Sequence, residues 1–228
     1  MKGIIQIAGI RSIDEARMLA DLGVRCLGFP LRLDVHAEEV SDDEAARIIA
    51  SVRPHACGVL ITYLDRAYDV LELCSKLGVR AVQLHGPISI SEVKKIIAAS
   101  PELFIIKSLI VKEGNLQELE QALAGYSSYV GAFITDTYDP KSGASGATGK
   151  MHDWSISRRL VDISPKPVIL AGGLRPDNVR RAIVQVRPAG VDAHTGVEGP
   201  NGLKDPGMVR MFISEAKRGF EEIGGLNR

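Results

Sequence analysis

The sequence predicts an α/β protein, a (β/α)8 TIM barrel that forms a single domain over residues 1–228. Short runs of β-branched or apolar residues alternate with helical patterns along the whole chain, which is typical of parallel β/α units. Eight such units can be counted, and 228 residues come close to the ~250 that this barrel usually needs. A doubly wound open sheet is the alternative. It is less favoured because the glycine pair of this chain comes late, whereas a dinucleotide-binding fingerprint belongs to the first β/α turn.

Each predicted strand is followed by a helical pattern, and three of these helices begin with a recognisable start signal. Ser12 with Glu15, and Ser41 with Glu44, have the Ser-x-x-Glu spacing of a capping box. Pro176 is expected just inside the helix that follows the seventh strand. The predicted strands, in chain order, are Ile4–Ala8, Cys26–Pro30, Ala56–Ile61, Ala81–Leu84, Phe104–Ser108, Ala132–Thr135, Val168–Leu170 and Gly190–Ala193.

Composition narrows the class of partner. Lys and Arg together number 28, as do Asp and Glu, so the formal net charge is +0 and a small molecule is a better partner than nucleic acid or an anionic membrane. Cys26, Cys57 and Cys74 lie in apolar segments without the C-x-x-C spacing of a zinc or redox site, which predicts buried, reduced thiols and no metal. No apolar run reaches membrane-spanning length, and the amino terminus lacks a signal-peptide pattern, so we expect a cytoplasmic protein.

The seventh predicted strand runs directly into Gly172-Gly173 and then into a helix start. Glycines let the backbone approach an anion closely, and the first N–H groups of a helix point at it. An ordinary strand-to-helix turn has the same pattern, so the next strand decides between the two interpretations. Thr195-Gly196 follows that strand with small residues suited to presenting N–H groups, and this barrel commonly binds phosphate at its last two strands. Gly172, Gly173, Thr195 and Gly196 are therefore predicted to hold a phosphate.

Polar residues follow several other predicted strands, and in a barrel these ends converge on one mouth. Asp136 follows the sixth strand and is a candidate general acid or base, the alternative being a carboxylate that caps a turn. His85 and His194 are candidates for positioning a substrate or carrying a proton, although a histidine at a strand end is often structural. The polar, glycine-rich segment from Tyr138 to Lys150 is predicted to be a mobile active-site loop, with a disordered surface loop as the alternative.

Several short motifs occur in the order found in one known family. Together they resemble phosphoribosylanthranilate isomerase of tryptophan biosynthesis and cover nearly the whole chain. That resemblance implies an Amadori rearrangement of an aminoaldose phosphate into a 1-amino-ketose phosphate, with no metal or organic cofactor. It also implies that Asp136 is the general acid. The motifs are Gln6-Ile7-Ala8-Gly9-Ile10, Leu27-Gly28-Phe29, Val82-Gln83-Leu84-His85-Gly86, Thr148-Gly149-Lys150 with Asp153-Trp154, Leu170-Ala171-Gly172-Gly173-Leu174, Gly190-Val191-Asp192 and Gly196-Val197-Glu198 with Lys204-Asp205-Pro206.

Three places depart from that family's pattern. The family has a cysteine where this chain has Ala8, whose methyl group cannot accept a proton, so the resemblance implies an altered or missing general base. The family's Ser-Pro-Arg motif after the second strand, whose arginine holds the substrate carboxylate, has no matching arginine here. Arg32 and His36 are the nearby candidates for contacting the substrate, while Glu38 would repel a carboxylate. His194 stands where the family usually has a small hydroxyl residue, and is a candidate phosphate ligand or replacement base.

The sequence leaves three functions open. The first is an isomerase of this type with His85, His194 or His36 as its base. The second is a diverged paralogue that catalyses a retro-aldol or lyase step, with Lys107 as a Schiff-base candidate or, more simply, a structural charge. The third is a non-catalytic phosphosugar-binding protein. Ala8 fits either natural divergence or an introduced substitution, and the further changes around the same mouth favour divergence. A monomer and a homodimer are both compatible with the sequence.

Overall fold

A computed structural model describes residues 3–33, 38–138, 140 and 151–225 of the chain. Within these residues, eight parallel strands form a closed barrel in the order β1-β2-β3-β4-β5-β6-β7-β8, and helices cover its outside, which confirms the predicted (β/α)8 fold. The elements are β1 (Ile4–Ala8), α1 (Ile13–Asp21), β2 (Cys26–Pro30), α2 (Asp42–Ser51), β3 (Cys57–Thr62), α3 (Ala67–Leu77), β4 (Ala81–Leu84), α4 (Ile90–Ala99), β5 (Phe104–Val111), α5 (Leu116–Tyr126), β6 (Ala132–Thr137), α6 (Trp154–Ile163), β7 (Val168–Leu170), α7 (Val179–Val186), β8 (Gly190–Ala193), a short 3-10 helix (Thr195–Val197) and α8 (Pro206–Gly225).

The strand residues divide into two apolar layers because successive side chains point to opposite faces of a strand. One set, which includes Leu27, Leu60 and Phe133, packs with the apolar faces of the helices in a large cluster. The alternate set fills the barrel interior as a smaller, separate cluster. The members of the smaller cluster are Val59, Ile106, Ala132, Ile134, Ile169 and Ala171, with Cys26 and Ala81 packed against them.

The predicted capping signals are present at the helix starts. Ser41 and Glu44 form the reciprocal capping box at α2. Ser12 caps α1 by accepting the N–H of Glu15, but the Glu15 carboxylate has other partners. Its two oxygens accept the backbone N–H of Arg11 at 2.7 Å and that of Lys204 at 2.8 Å. This buried carboxylate therefore ties the β1–α1 turn to the segment that precedes α8, across the closure of the barrel.

Two strands extend further than the apolar pattern predicts. β5 continues to Val111 instead of ending at Ser108, and β6 continues to Thr137 instead of ending at Thr135. The two strands pair with each other as far as Val111 and Thr137, so ladder hydrogen bonds extend β6 through its polar end. Asp136 therefore lies within a strand and does not follow one. β3 is shifted by one residue and runs from Cys57 to Thr62.

The expected helix start at Pro176 is wrong. α7 begins at Val179, and the preceding residues form a turn. Asn178 causes this geometry, because its side-chain oxygen accepts the N–H of Arg175 at 2.8 Å while its amide donates to the carbonyl of Gly173 at 3.0 Å. The glycine pair is consequently separated from the helix by a closed turn held by an asparagine.

The prediction of three buried thiols is correct for one cysteine. Cys74 is buried, Cys26 is half-buried and Cys57 is exposed, and all three are free thiols. Cys57 is the first residue of β3, at the amino-terminal end of the barrel, on the same strand face as Val59 of the interior cluster. An apolar sequence neighbourhood predicted burial for this residue, but its position at the strand's outer end leaves it accessible.

The last two helices pack closely against each other. Gly219 of α8 lies against α7 so tightly that a Cβ atom there would be 3.0 Å from Cβ of Ile183. The guanidinium of Arg180 binds the Glu222 carboxylate across the same pair of helices, with Nε at 2.8 Å. Among the residues described, no helix has both the length and the hydropathy needed to cross a membrane.

The Glu15 bridge predicts a stability effect. Replacing Glu15 by Gln leaves one acceptor oxygen for two backbone N–H groups, so one buried donor loses its partner and the free energy of unfolding should fall by about 1–3 kcal/mol. Urea denaturation measures this change. Glu44→Gln is the matched control, because that carboxylate caps an exposed helix start and water can replace it. Equal losses in the two variants would contradict the bridge.

Candidate active site

Asp136 is the strongest candidate for acid–base chemistry at the mouth of the barrel. Its side chain is buried, and its Oδ1 accepts the N–H of Thr137 at 2.7 Å. Burial raises the pKa of Asp136 to about 7, the negative charge of Asp192 adds to that rise, and the hydrogen bond from Thr137 partly opposes it. A carboxyl group with this pKa is protonated in a large fraction of molecules near neutral pH, so it is able to donate a proton.

Asp192 on β8 is a second buried carboxyl in the same interior, and sequence reasoning assigned it no role. Burial raises its pKa to about 7, against the opposing effects of a hydrogen bond from Gln6 and the charge of Lys204. Its Oδ1 is buried without a hydrogen-bond partner among the described residues. The sequence signal that could have identified Asp192 is a charged residue at an inward-facing position of an otherwise apolar strand. Residues 3–33, 38–138 and 151–225 contain no group of three or more His, Cys, Asp or Glu side chains that could hold a metal ion.

A chain of hydrogen bonds leads from β1 through the barrel interior to His85. The amide of Gln6 donates to Oε1 of Gln83 at 3.2 Å. The amide of Gln83 in turn donates to Oγ of Ser108 and approaches Nδ1 of His85, both at 3.3 Å. Nδ1 of His85 is also 2.9 Å from Oγ of Ser108. Since the Gln83 amide offers only N–H groups, Nδ1 is assigned as the acceptor, which places the imidazole proton on Nε2.

These contacts fix His85 in position at the start of the β4–α4 turn. The aromatic ring of Tyr63 lies against its imidazole, with ring centroids 5.0 Å apart. The following residue, Gly86, lies against the backbone of Tyr63, where a Cβ atom would be 2.7 Å from the Tyr63 carbonyl oxygen. The glycine is therefore required by this close approach of two loops.

Lys107 does not face the mouth. Its Nζ donates to the carbonyl oxygens of Leu84 and Ser108 at 3.1 Å and of Gly86 at 3.0 Å, which uses all three N–H groups of an ammonium. Burial lowers its pKa to about 8. The side chain therefore closes off the carbonyl groups at the end of β4, which favours the structural interpretation of this lysine over a Schiff-base role.

The turns after β7 and β8 lie side by side, as expected for a shared anion site. Gly172 and Gly173 both adopt positive φ angles, +95° and +63°. Gly196 is in such close contact with the neighbouring turn that a Cβ atom on it would be 1.9 Å from the carbonyl oxygen of Leu174. Within the described part of the chain, the N–H groups of Gly173 and Gly196 donate to no backbone carbonyl. Thr195 begins a short 3-10 helix at this place.

Sequence reasoning missed His152, which supports the β7 turn. Its Nδ1 is 2.9 Å from Oγ1 of Thr137, and its Nε2 is 2.6 Å from Oγ of Ser157. Burial lowers its pKa to about 4, so the ring is neutral at physiological pH. A Cβ atom on Gly172 would be 2.2 Å from Oγ1 of Thr137 and 3.1 Å from Nδ1 of His152. Gly172 is therefore required by packing against this pair, independently of any anion.

His194 lies over the end of β1. A Cβ atom on Gly9 would be 2.1 Å from Nε2 of His194, so the imidazole rests on the Gly9 backbone, one residue after Ala8. Nε2 is also 3.5 Å from Oε1 of Glu198, and that carboxylate binds the buried ammonium of Lys204 at 2.6 Å. The fold thus brings His194, which follows β8, close to Ala8 at the end of β1, and both positions depart from the pattern described for the resembling family.

The loop between β2 and α2 is described only in part. Arg32 adopts a positive φ of +58°, and its guanidinium binds Glu38 and Asp42, each at 2.8 Å. An incoming carboxylate would have to compete with these two acidic side chains. His36 lies outside the described residues, as do Thr148-Gly149-Lys150 and all of the predicted active-site loop except Tyr138 and Pro140.

Comparison with known sequences identifies the family. The family model described as N-(5'phosphoribosyl)anthranilate (PRA) isomerase matches residues 5–215. The chain belongs to this isomerase family. A curated relative, N-(5'-phosphoribosyl)anthranilate isomerase 2 of Methanosarcina mazei, is 36% identical over 225 residues, which cover 98% of each chain.

Solved structures of PRA isomerases have the same fold. The enzyme from Thermotoga maritima is 32% identical with a TM-score of 0.80, and the match covers 96% of this chain and all of the other. A second PRA isomerase structure, at 30% identity and a TM-score of 0.78 over 96% of this chain and all of the other, holds reduced 1-(o-carboxyphenylamino)-1-deoxyribulose 5-phosphate. PRA isomerases are aldose–ketose isomerases, so this chain is a member of an enzyme family.

The two buried carboxyls predict an unusual pH dependence of stability. Between pH about 4 and 7 the folded protein keeps protons on Asp136 and Asp192 that the unfolded chain has released. The free energy of unfolding should therefore fall as pH rises, by about 1.4 kcal/mol per pH unit for each carboxyl, and level off above pH about 7. Urea denaturation across this range should show a smaller slope in Asp136→Asn and in Asp192→Asn. Asp21→Asn, an exposed control, should keep the wild-type slope, and an unchanged slope in both test variants would contradict the assignment.

The contact between the turns that follow β7 and β8 predicts a second effect on stability. A Gly196→Ala methyl group would overlap the Leu174 carbonyl, so the β7 turn must move and the protein should lose about 1–3 kcal/mol of stability. Gly224→Ala is the control, because a Cβ atom there meets nothing within 4 Å. Thermal denaturation compares the two. If Gly196→Ala were as stable as Gly224→Ala, the two turns could not be in contact.

Proposed function

We propose that this chain catalyses an Amadori-type aldose–ketose isomerisation of a phosphorylated sugar derivative, with Asp136 as general acid. N-(5'-phosphoribosyl)anthranilate, the substrate in the names of the relatives, is the first compound to test. The observation that carries the proposal is the buried Asp136, with a pKa of about 7, in the same barrel end as the paired glycine turns. These two features supply a proton donor and an anion holder, which the reaction needs in one site.

Gly172, Gly173, Thr195 and Gly196 are proposed to hold the substrate phosphate. The positive φ angles of the glycine pair and the contact of Gly196 with the neighbouring turn support this proposal, because they bring the backbones of the two turns together. A phosphate accepts several such N–H groups at once, and a short helix start adds its partial positive charge. A sugar 5-phosphate bound to a relative 30% identical to this chain is consistent with this role.

Asp136 is proposed to open the sugar ring. Its carboxyl proton goes to the ring oxygen, the C1–O bond breaks, and the nitrogen lone pair forms the C1=N bond of a protonated imine. A base then removes the proton from C2, and the C2–H electrons form a C1=C2 enolamine while the nitrogen regains its lone pair. Return of a proton to C1 and loss of one from the enol hydroxyl give the amino-ketose, so the atoms balance as an isomerisation. A donor with a pKa near the working pH suits the first step.

His194 is proposed as the base that replaces the family's cysteine. Its imidazole lies over Gly9, beside the Ala8 methyl group, so a basic nitrogen from β8 is available near the end of β1. The Glu198 carboxylate lies 3.5 Å from Nε2, so its negative charge stabilises the imidazolium that forms when His194 accepts a proton. His85 is proposed to orient the substrate, because its ring is fixed by Ser108 and Tyr63. The proposed substrate contacts of Arg32 require its separation from Glu38 or Asp42, and His36 stays a sequence prediction.

The two other functions make different predictions. A retro-aldol or lyase reaction through Lys107 would need this amine to leave three carbonyl groups and cross to the mouth, which the observed contacts disfavour. A binding protein without catalysis would keep the phosphate turns and lose turnover. Complementation of a tryptophan auxotroph that lacks the isomerase separates these cases: growth supports the isomerase, and failure to grow with phosphosugar-induced thermal stabilisation supports the binding protein.

Asp136→Asn tests the acid. Asparagine keeps the shape but carries no transferable proton, so kcat should fall by about 10²–10⁴-fold with phosphoribosylanthranilate as substrate. In the wild type, kcat should decrease above pH about 7, where Asp136 loses its proton. Steady-state fluorescence assays measure both effects. Wild-type turnover in Asp136→Asn would remove this residue from the mechanism.

The proposed base is tested by removing the imidazole of residue 194 and introducing a cysteine at residue 8 of β1. His194→Ala should lower kcat by about 10²–10⁴-fold, and adding Ala8→Cys to this variant should restore part of the activity by returning the base to β1. Gln185→Ala, which changes an exposed polar residue of α7 outside the mouth, is the control and should retain wild-type kcat. If His194→Ala kept full activity, the proton would have to be removed by another group.

A further inference from the structure

The two accessible cysteines form a pair at the barrel end opposite the candidate active site. Cys26 is the first residue of β2 and Cys57 the first residue of β3. They are direct neighbours in the register of these parallel strands, and their sulfur atoms are 4.0 Å apart. The sequence separates them by 31 positions and shows no C-x-x-C motif, so the pair is created by strand pairing.

We propose that Cys26 and Cys57 are a thiol–disulfide exchange site, in which Cys57 attacks a small anionic disulfide and Cys26 then closes an intramolecular disulfide. This site is independent of the isomerase reaction, because it lies at the amino-terminal ends of the strands. Its substrate class is a low-molecular-weight disulfide with carboxylate groups, of which oxidised glutathione is the probe.

The backbone geometry permits this bond. Neighbouring strands are about 4.8 Å apart, and disulfides join Cα atoms separated by about 4.4–6.8 Å. The two sulfurs must approach from 4.0 Å to about 2.05 Å, which rotation of the side chains can provide. Each cysteine is the first residue of its strand. The ladder of backbone hydrogen bonds therefore continues on one side of each cysteine only, and the movement of the sulfur atoms does not disrupt a ladder that continues on both sides.

The two thiols have different environments, which assigns their roles. Cys57 is exposed, and the neighbouring Cys26 thiol lowers the pKa of Cys57 to about 7, so its thiolate is available to attack. Cys26 is half-buried against the barrel interior, where burial and the negative charge of Asp192 add to the effect of Cys57 in raising its pKa. The exposed thiol of Cys57 is therefore the nucleophile, and the half-buried thiol of Cys26 is the one that resolves the mixed disulfide.

The surroundings of Cys57 suit an anionic reagent. Cys57 lines an open cavity of about 860 Å³ that is also lined by Arg53, Arg80 and Glu102. Two guanidinium groups and one carboxylate give this cavity an excess of positive charge, which attracts a disulfide that carries carboxylates. Cys74 lines the same cavity but is itself buried, and burial raises the pKa of Cys74 to about 12, so it is an internal control.

The reaction balances with the disulfide as oxidant. The Cys57 thiolate attacks one sulfur of R–S–S–R, the S–S bond of the reagent breaks, and R–S⁻ leaves as a mixed disulfide forms on Cys57. Cys26 gives its proton to solvent and attacks Sγ of Cys57, the mixed disulfide breaks, and the second R–S⁻ leaves. Two protein thiols are oxidised to one disulfide, and the reagent is reduced to two thiols, which take up the two protons.

Peptide mapping of the folded protein tests the proposal. After incubation with oxidised glutathione, alkylation and trypsin digestion, peptides 26–32 and 48–66 should be found linked, and the intact protein should have lost two hydrogen atoms. Cys57 should react faster than Cys74 by at least about 10²-fold, since thiolate fraction and access govern the rate. Dithiothreitol should reverse the link.

Single variants separate the two steps. Cys26→Ser should stop at a glutathione adduct on Cys57, and Cys57→Ser should leave Cys26 unmodified. Cys74→Ser should behave as the wild type. The proposal is overturned if the wild type carries glutathione on Cys57 without the link to Cys26, if neither thiol reacts, or if Cys74→Ser abolishes the link.

Discussion

The properties of the barrel interior depend on two carboxyl groups that are buried away from water, because burial raises the free energy of their ionised forms. Asp136 and Asp192 project from β6 and β8 into a packed interior, and burial raises the pKa of both to about 7. An ionised carboxylate loses its hydration in such a place and has a high free energy, so each group favours its protonated form. The same burial that opposes stability at neutral pH keeps a proton on Asp136, as the proposed role of general acid requires. The instability and the proposed function therefore have one physical origin.

The surrounding polar groups form a connected system inside the strand layer. Gln6 links the carboxyl of Asp192 to Gln83, and Gln83 leads to His85. A buried network of this kind fixes orientations because each donor has a limited choice of partners. Oδ1 of Asp192 is the exception, because it is buried and has no hydrogen-bond partner among the described residues.

The proposed transfer of the general base from β1 to the residue after β8 depends on the closure of the barrel. Ala8 cannot move a proton, but β1 and β8 pair directly, so a side chain at the end of β8 reaches the end of β1. His194 does this by resting on Gly9, where any side chain would collide with the ring. A closed barrel makes such a replacement possible, because the first and last strands are neighbours in space although they are far apart in sequence.

Sequence patterns by themselves determined the alternation of strands and helices, the eight-unit count and the polar strand ends, because these follow from local periodicity and residue type. Asp136, His85 and the glycine turns were proposed as site residues on that basis. Strand pairing and packing decided the rest: the extension of β5 and β6, the asparagine turn before α7, the inward place of Asp192, the His152 support under Gly172 and the meeting of Cys26 with Cys57. Each of these depends on residues brought together from different units of the barrel, and no local pattern records which distant side chain will lie opposite.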